Sequence, residues 1–105
     1  MSDLRIYEMF EYASVDGVIS SIFNEITQEI VNRGLDCQVA YDSVNSEKNN
    51  IVIVEWGSVP KVTIVVSENW VDVIYVTNSG IRKDTLSSNS RLALDAFVDM
   101  VLQKL

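Results

Sequence analysis

The segment from Ile51 to Thr77 constrains the fold more than any other, because 15 of its 27 residues are β-branched and only Glu55, Lys61, Glu68 and Asp72 are charged. Branching at Cβ crowds a helix and suits a pleated surface, so the segment is predicted to be strand. Gly57-Ser58-Val59-Pro60 and Glu68-Asn69 interrupt it with turn formers where an antiparallel meander reverses. With Glu68-Asn69 as a two-residue turn, Val66 is expected opposite Val71, Ile64 opposite Val73 and Val62 opposite Tyr75, which makes one face apolar. The other face then pairs Val65 with Asp72, Thr63 with Ile74, Lys61 with Val76 and Ser67 with Trp70. Val52, Val54 and Trp56 of the preceding strand fall on that same side.

Cys37 to Val44 reads as a first strand, followed by the polar loop Asn45 to Asn50. Ile19, Ile22, Phe23, Ile26 and Ile30 recur at helical spacing, and Gly34 follows as a left-handed cap, so a helix is predicted over 16 to 33. A second helix is predicted over 88 to 105, capped by Ser87 or Ser88, with Leu94, Phe97, Val98, Val101 and Leu105 as its apolar stripe. Asn78 to Ser90 reads as a loop with its turn at Ser79-Gly80. Residues 3 to 13 stay open between helix, from Ile6, Met9, Phe10 and Ala13, and strand, from Ile6, Glu8, Phe10 and Tyr12.

These elements predict a single α+β domain over 1 to 105. A four-stranded antiparallel β-meander (37 to 44, 51 to 56, 61 to 67, 70 to 77) is expected to pack in two layers against the N-terminal and C-terminal helices. Ile19, Ile22, Phe23, Ile26, Ile64, Val66, Val73, Phe97 and Val101 are the expected core. A chain of 105 residues is long enough to bury roughly 65% of its unfolded surface without a staple.

No apolar run approaches the ~20 residues of a membrane-spanning helix, and no secretory signal is recognisable. The single cysteine, Cys37, suits a reducing compartment, so a cytoplasmic location is expected. Net charge is −7, and residues 1 to 36 hold Asp3, Glu8, Glu11, Asp16, Glu25, Glu29 and Asp36 against Arg5 and Arg33. Such a surface repels phosphate, so direct binding of nucleic acid is disfavoured; a basic protein is the partner it would attract.

There is no histidine, no glycine-rich phosphate loop and no cysteine pair. A general base would have to be a carboxylate, lysine, tyrosine or thiolate with a shifted pKa. Tyr41, Asp42, Glu55, Asp72 and Tyr75 are the candidates, on condition that they converge in one cleft. Cys37 reads as a packing residue, having no histidine to activate it. Glu25 and Glu29 resemble half of a carboxylate metal site but lack the Glu-x-x-His partners, so neither metal nor cofactor is expected. Trp56 and Trp70, at strand ends, either cap the core or anchor a partner.

In element order the chain resembles the frataxin arrangement, with acids near the first helix, but it lacks that family's strand motifs. Ala40-Tyr41-Asp42 entering a polar loop resembles a short part of the phage uracil-DNA glycosylase inhibitor, without its acid-led recognition strand. Neither likeness assigns a family. The expectation for function is a non-enzymatic, acidic protein-interaction domain, similar in size and charge to phage-borne anti-restriction or anti-CRISPR inhibitors of nucleic-acid-binding proteins. Glu25, Glu29 and Asp36 are the acidic candidates for contact; Val54, Trp56, Val65, Trp70 and Ile74 are the apolar candidates, either for a partner or for a homodimer. A homo-oligomeric structural or adaptor subunit, and a small enzyme using carboxylate or tyrosine chemistry, are the alternatives.

Overall fold

A computed structural model describes residues 4–45, 48–55 and 60–105. Its elements run α1 (Ile6–Tyr12), α2 (Val15–Arg33), β1 (Cys37–Asn45), β2 (Lys48–Glu55), β3 (Pro60–Val66), β4 (Trp70–Thr77), β5 (Gly80–Ser87) and α3 (Leu94–Leu102). The strands form one antiparallel sheet in the order β1-β2-β3-β4-β5. The fold is therefore α+β with an antiparallel meander of five strands, not four.

The fifth strand corrects the reading of Asn78 to Ser90 as loop. Thr77 pairs with Gly80, so Asn78 and Ser79 make the turn, and Gly80 takes φ +117°, where a Cβ would be strained. The Thr77 hydroxyl donates to the Gly80 carbonyl at 2.9 Å and accepts the Ser79 N–H at 3.1 Å. Gly80–Ser87 holds only two large apolar residues, Ile81 and Leu86, since an outer strand has little apolar surface to bury. Its Arg82 and Lys83 are exposed charges of the kind that disfavour pairing of an open edge with another chain.

The chain after β5 does not enter a helix at residue 88. The Ser87 hydroxyl accepts the Asn89 N–H at 3.1 Å, which makes a local turn. Residues 90 to 94 instead bond the N-terminal segment: Ile6 N–H to the Leu92 carbonyl, Tyr7 N–H to that of Ser90, and Leu94 N–H to that of Leu4. Only at Leu94 is the backbone free to wind, so α3 is shorter than expected and has no side-chain cap. Its buried residues are Leu94, Phe97, Val98, Val101 and Leu102. Leu105 lies past the helix end and packs half-buried against the core.

Residues 6 to 12 are helical, which decides the open choice, and Ile6 and Met9 are buried. α2 starts at the Ser14 cap, whose hydroxyl accepts the Gly17 N–H at 3.2 Å, and stops at Gly34, φ +63°. The Glu68-Asn69 hairpin has the expected register, from Val62 opposite Tyr75 to Val66 opposite Val71. β1 and β2 pair as far as Asn45 with Lys48, which shortens the loop expected over 45 to 50. The Gly57 to Pro60 turn and Trp56 lie outside the described residues, except that Pro60 opens β3.

One core cluster holds the buried residues of all three helices together with Ile51, Ile53, Val62, Ile64, Val66, Val71 and Val73. Eight of the nine expected core residues are in it. Phe23 is the exception: it is half-buried and packs on the cluster with its ring stacked on Tyr41, centroids 4.2 Å apart. Val52, Val54, Val65 and Ile74 belong neither to the cluster nor to the partly buried residues packed on it. The pairing Ala40–Val52–Thr63–Ile74–Lys83 runs across that second face of the sheet.

Candidate functional site

The second face is a surface built by strand parity. Val52 is buried by its neighbours, Val54, Val65 and Ile74 are half-buried, and Val76 and Ile81, paired across β4 and β5, are 47% and 75% exposed. Asp72 is held there by the Thr85 hydroxyl, which donates to its carboxylate at 2.6 Å. The two edge strands of this face carry opposite charge, Asp42 on β1 and Lys83 on β5, with Asp72 between them on β4. Trp70 begins β4 on the same parity and is 44% exposed, so it does not cap the core.

The acidic candidates lie elsewhere. Glu25 and Glu29 are half-buried on α2, and Asp36 is exposed in the link to β1. The sequence presents Glu25 and Glu29 as a like-charged pair, but Glu29 is matched. Arg33 lies 3.1 Å from Glu29 and 3.0 Å from Asp99 of α3, joining the two helices, and these two hydrogen bonds raise the guanidinium pKa. Glu29 was recognisable as an i, i+4 partner of Arg33; Asp99 is 66 positions away from Arg33 in sequence, with no local signal. Glu25 has no ion pair among the described residues.

The carboxylate and tyrosine candidates do not converge. Tyr41 is on the helix-facing side against Phe23, whereas Asp42 and Asp72 project from the opposite side. Glu55 ends β2, 3.8 Å from Lys61. Tyr75 packs on the core with Lys104 4.4 Å from its ring centroid, and Lys104 bonds Asp84 at 3.1 Å. That hydrogen bond to Asp84 raises the ammonium pKa. The cluster was invisible in the sequence because its members come from β4, β5 and the end of the chain.

Cys37, paired with Glu55 at the sheet end, lines a cleft of about 440 Å³ with Leu35, Asp36, Leu102 and Leu105. Burial, then the carboxylates of Glu55 and Asp36, push its thiol pKa up. A raised pKa leaves less thiolate at neutral pH, which opposes a nucleophilic role. Among the described residues no group of three or more Cys, Asp or Glu is placed to hold a metal ion. No helix there is long and apolar enough to cross a membrane. A further cleft, of about 390 Å³, opens between the start of α2 and the β3–β4 turn, at the other end of α2 from Cys37. No protein-family model matches the chain, and no curated protein or solved structure is significantly similar to it.

Proposed function

We propose that this chain is a non-enzymatic interaction domain, a two-layer α+β unit that uses the second face of its sheet to associate and its acidic helical side to engage a basic protein. The observation that carries the reading is the apolar second face, whose Val54, Val65 and Ile74 lie outside the core cluster. Apolar surface on both sides of a sheet is more than a monomer ordinarily leaves wet.

A second copy suits that face. If a two-fold axis runs along β3, β1 of one copy lies over β5 of the other, bringing the Asp42 edge against the Lys83 edge twice. An axis across the strands would stack like on like. The charge pattern therefore favours the first arrangement, with Val52, Val54, Val65 and Ile74 at its centre.

The basic partner follows from the net charge of −7 and from the carboxylates of Glu25 and Asp36, which have no ion pair among the described residues. Acidic side chains occupying a basic nucleic-acid-binding site would make this an inhibitor of the anti-restriction or anti-CRISPR kind, acting in the cytoplasm. Capture on the immobilised full chain tests it. The partner should be released by salt and lost on reversal of Glu25 and Asp36, with a smaller loss for Glu29, whose charge is already matched by Arg33. A partner indifferent to salt and to those reversals would defeat the electrostatic reading.

A further inference from the structure

We propose that the cleft between the start of α2 and the β3–β4 turn receives one arginine or lysine side chain of a partner protein, its stem on Val15, Ile19 and Val66 and its charge beside Asp16, Glu68 and Trp70. This rests on the reading that the partner is basic, and it gives that partner a place to anchor.

The cleft measures about 390 Å³, near the small end of the roughly 300–1,000 Å³ range of ligand sites. Its lining is of two kinds. Ile19 and Val66 are core residues at its floor, while Asp16, Glu68, Asn69 and Trp70 are exposed. A long side chain that is apolar along its stem and charged at its tip matches such a graded wall.

The sign of the tip charge is set by carboxylates left unmatched. Asp99, Asp84 and Glu55 each face a cation, as does Glu29, but neither Asp16 nor Glu68 has an ion pair or side-chain hydrogen bond among the described residues. The start of α2 opposes a cation with roughly half a positive charge. That is outweighed by two full negative charges, and the Ser14 hydroxyl already occupies the Gly17 N–H at 3.2 Å. Trp70, at the start of β4, completes the rim of the cleft.

The turn is also fixed in place. Ser67 N–H bonds the Trp70 carbonyl at 2.9 Å, and Ser88 N–H bonds the Asn69 carbonyl at 2.9 Å, so the turn is tied to its own hairpin and to the segment after β5. Little ordering is then left for the moment of binding.

The test is a titration of the ¹⁵N-labelled full chain, followed by NMR, with the blocked tripeptide Gly-Arg-Gly, its lysine analogue, and Gly-citrulline-Gly, which keeps the arginine shape without the charge. Saturable shifts should centre on the Trp70 indole N–H and the amides of Ser67 to Asn69, with millimolar affinity. The citrulline peptide should bind about tenfold more weakly. D16N/E68Q should lose a similar factor. Equal binding of the citrulline peptide, shifts centred elsewhere, no saturation, or a folded D16N/E68Q variant that binds as well as wild type would each overturn the proposal. If the arginine peptide fails while salt-sensitive capture persists, the cleft is not the anchor and the interaction reading stands. If the peptide binds and no salt-sensitive partner exists, it is the broader reading that falls.

Discussion

Gly34 shows how far one residue can be read. Its place after a helical stripe marked it as a cap. Its φ is +63° and no atom lies within 4 Å of where a Cβ would stand, so backbone conformation, not space, demands glycine. Gly34→Ala should therefore cost about 1 kcal/mol in urea unfolding. Cys37 is a subtler case. The sequence suggested an inert thiol, while the cause, burial and then Glu55 and Asp36, needed the β1–β2 pairing to become visible. Its alkylation should be slower at every pH near neutrality than that of an unfolded control. Because the folded pKa is raised, this group's contribution to stability is complete below the unfolded pKa and is lost as pH rises through the folded one. Alkylation as fast as in the unfolded chain would contradict the burial.

Elements with strong periodicity were legible and the weakly patterned one was not. α2 has its buried residues at helical spacing and the β3–β4 hairpin has an unbroken apolar face, so spacing and turn chemistry fix both register and burial. β5 has an exposed outer edge and mostly exposed side chains, leaving only pairing with β4 to define it. Amide exchange should report this difference. Amides of β3 should approach global protection, and the outward amides of β5 should exchange at least about a hundredfold faster. Uniform protection across the sheet would mean that the edge is covered. α3 depends on packing, not on caps, so Phe97→Ala, at a fully buried position, should destabilise by about 3–5 kcal/mol in denaturant unfolding. A loss below about 1 kcal/mol, closer to what a surface change produces, would place Phe97 outside the core.

At the scale of the whole molecule, the apolar second face was legible in the sequence, whereas the cleft beside the β3–β4 turn was not. Strand parity placed Val54, Val65, Trp70 and Ile74 on one side, whereas Asp16 and Glu68 line one cleft only because the chain folds α2 against the β3–β4 turn. The two modes of association also respond oppositely to salt. A dimer joins two copies of net charge −7 and is strengthened when repulsion is screened, while a basic partner is released. Sedimentation equilibrium of the full chain at moderate salt tests the use of the second face most directly. The wild type should approach the mass of a dimer at high micromolar concentration, and Ile74→Glu should remain folded and monomeric. A wild-type chain that stays monomeric throughout that range, or an Ile74→Glu variant that dimerises as well as wild type, would contradict it.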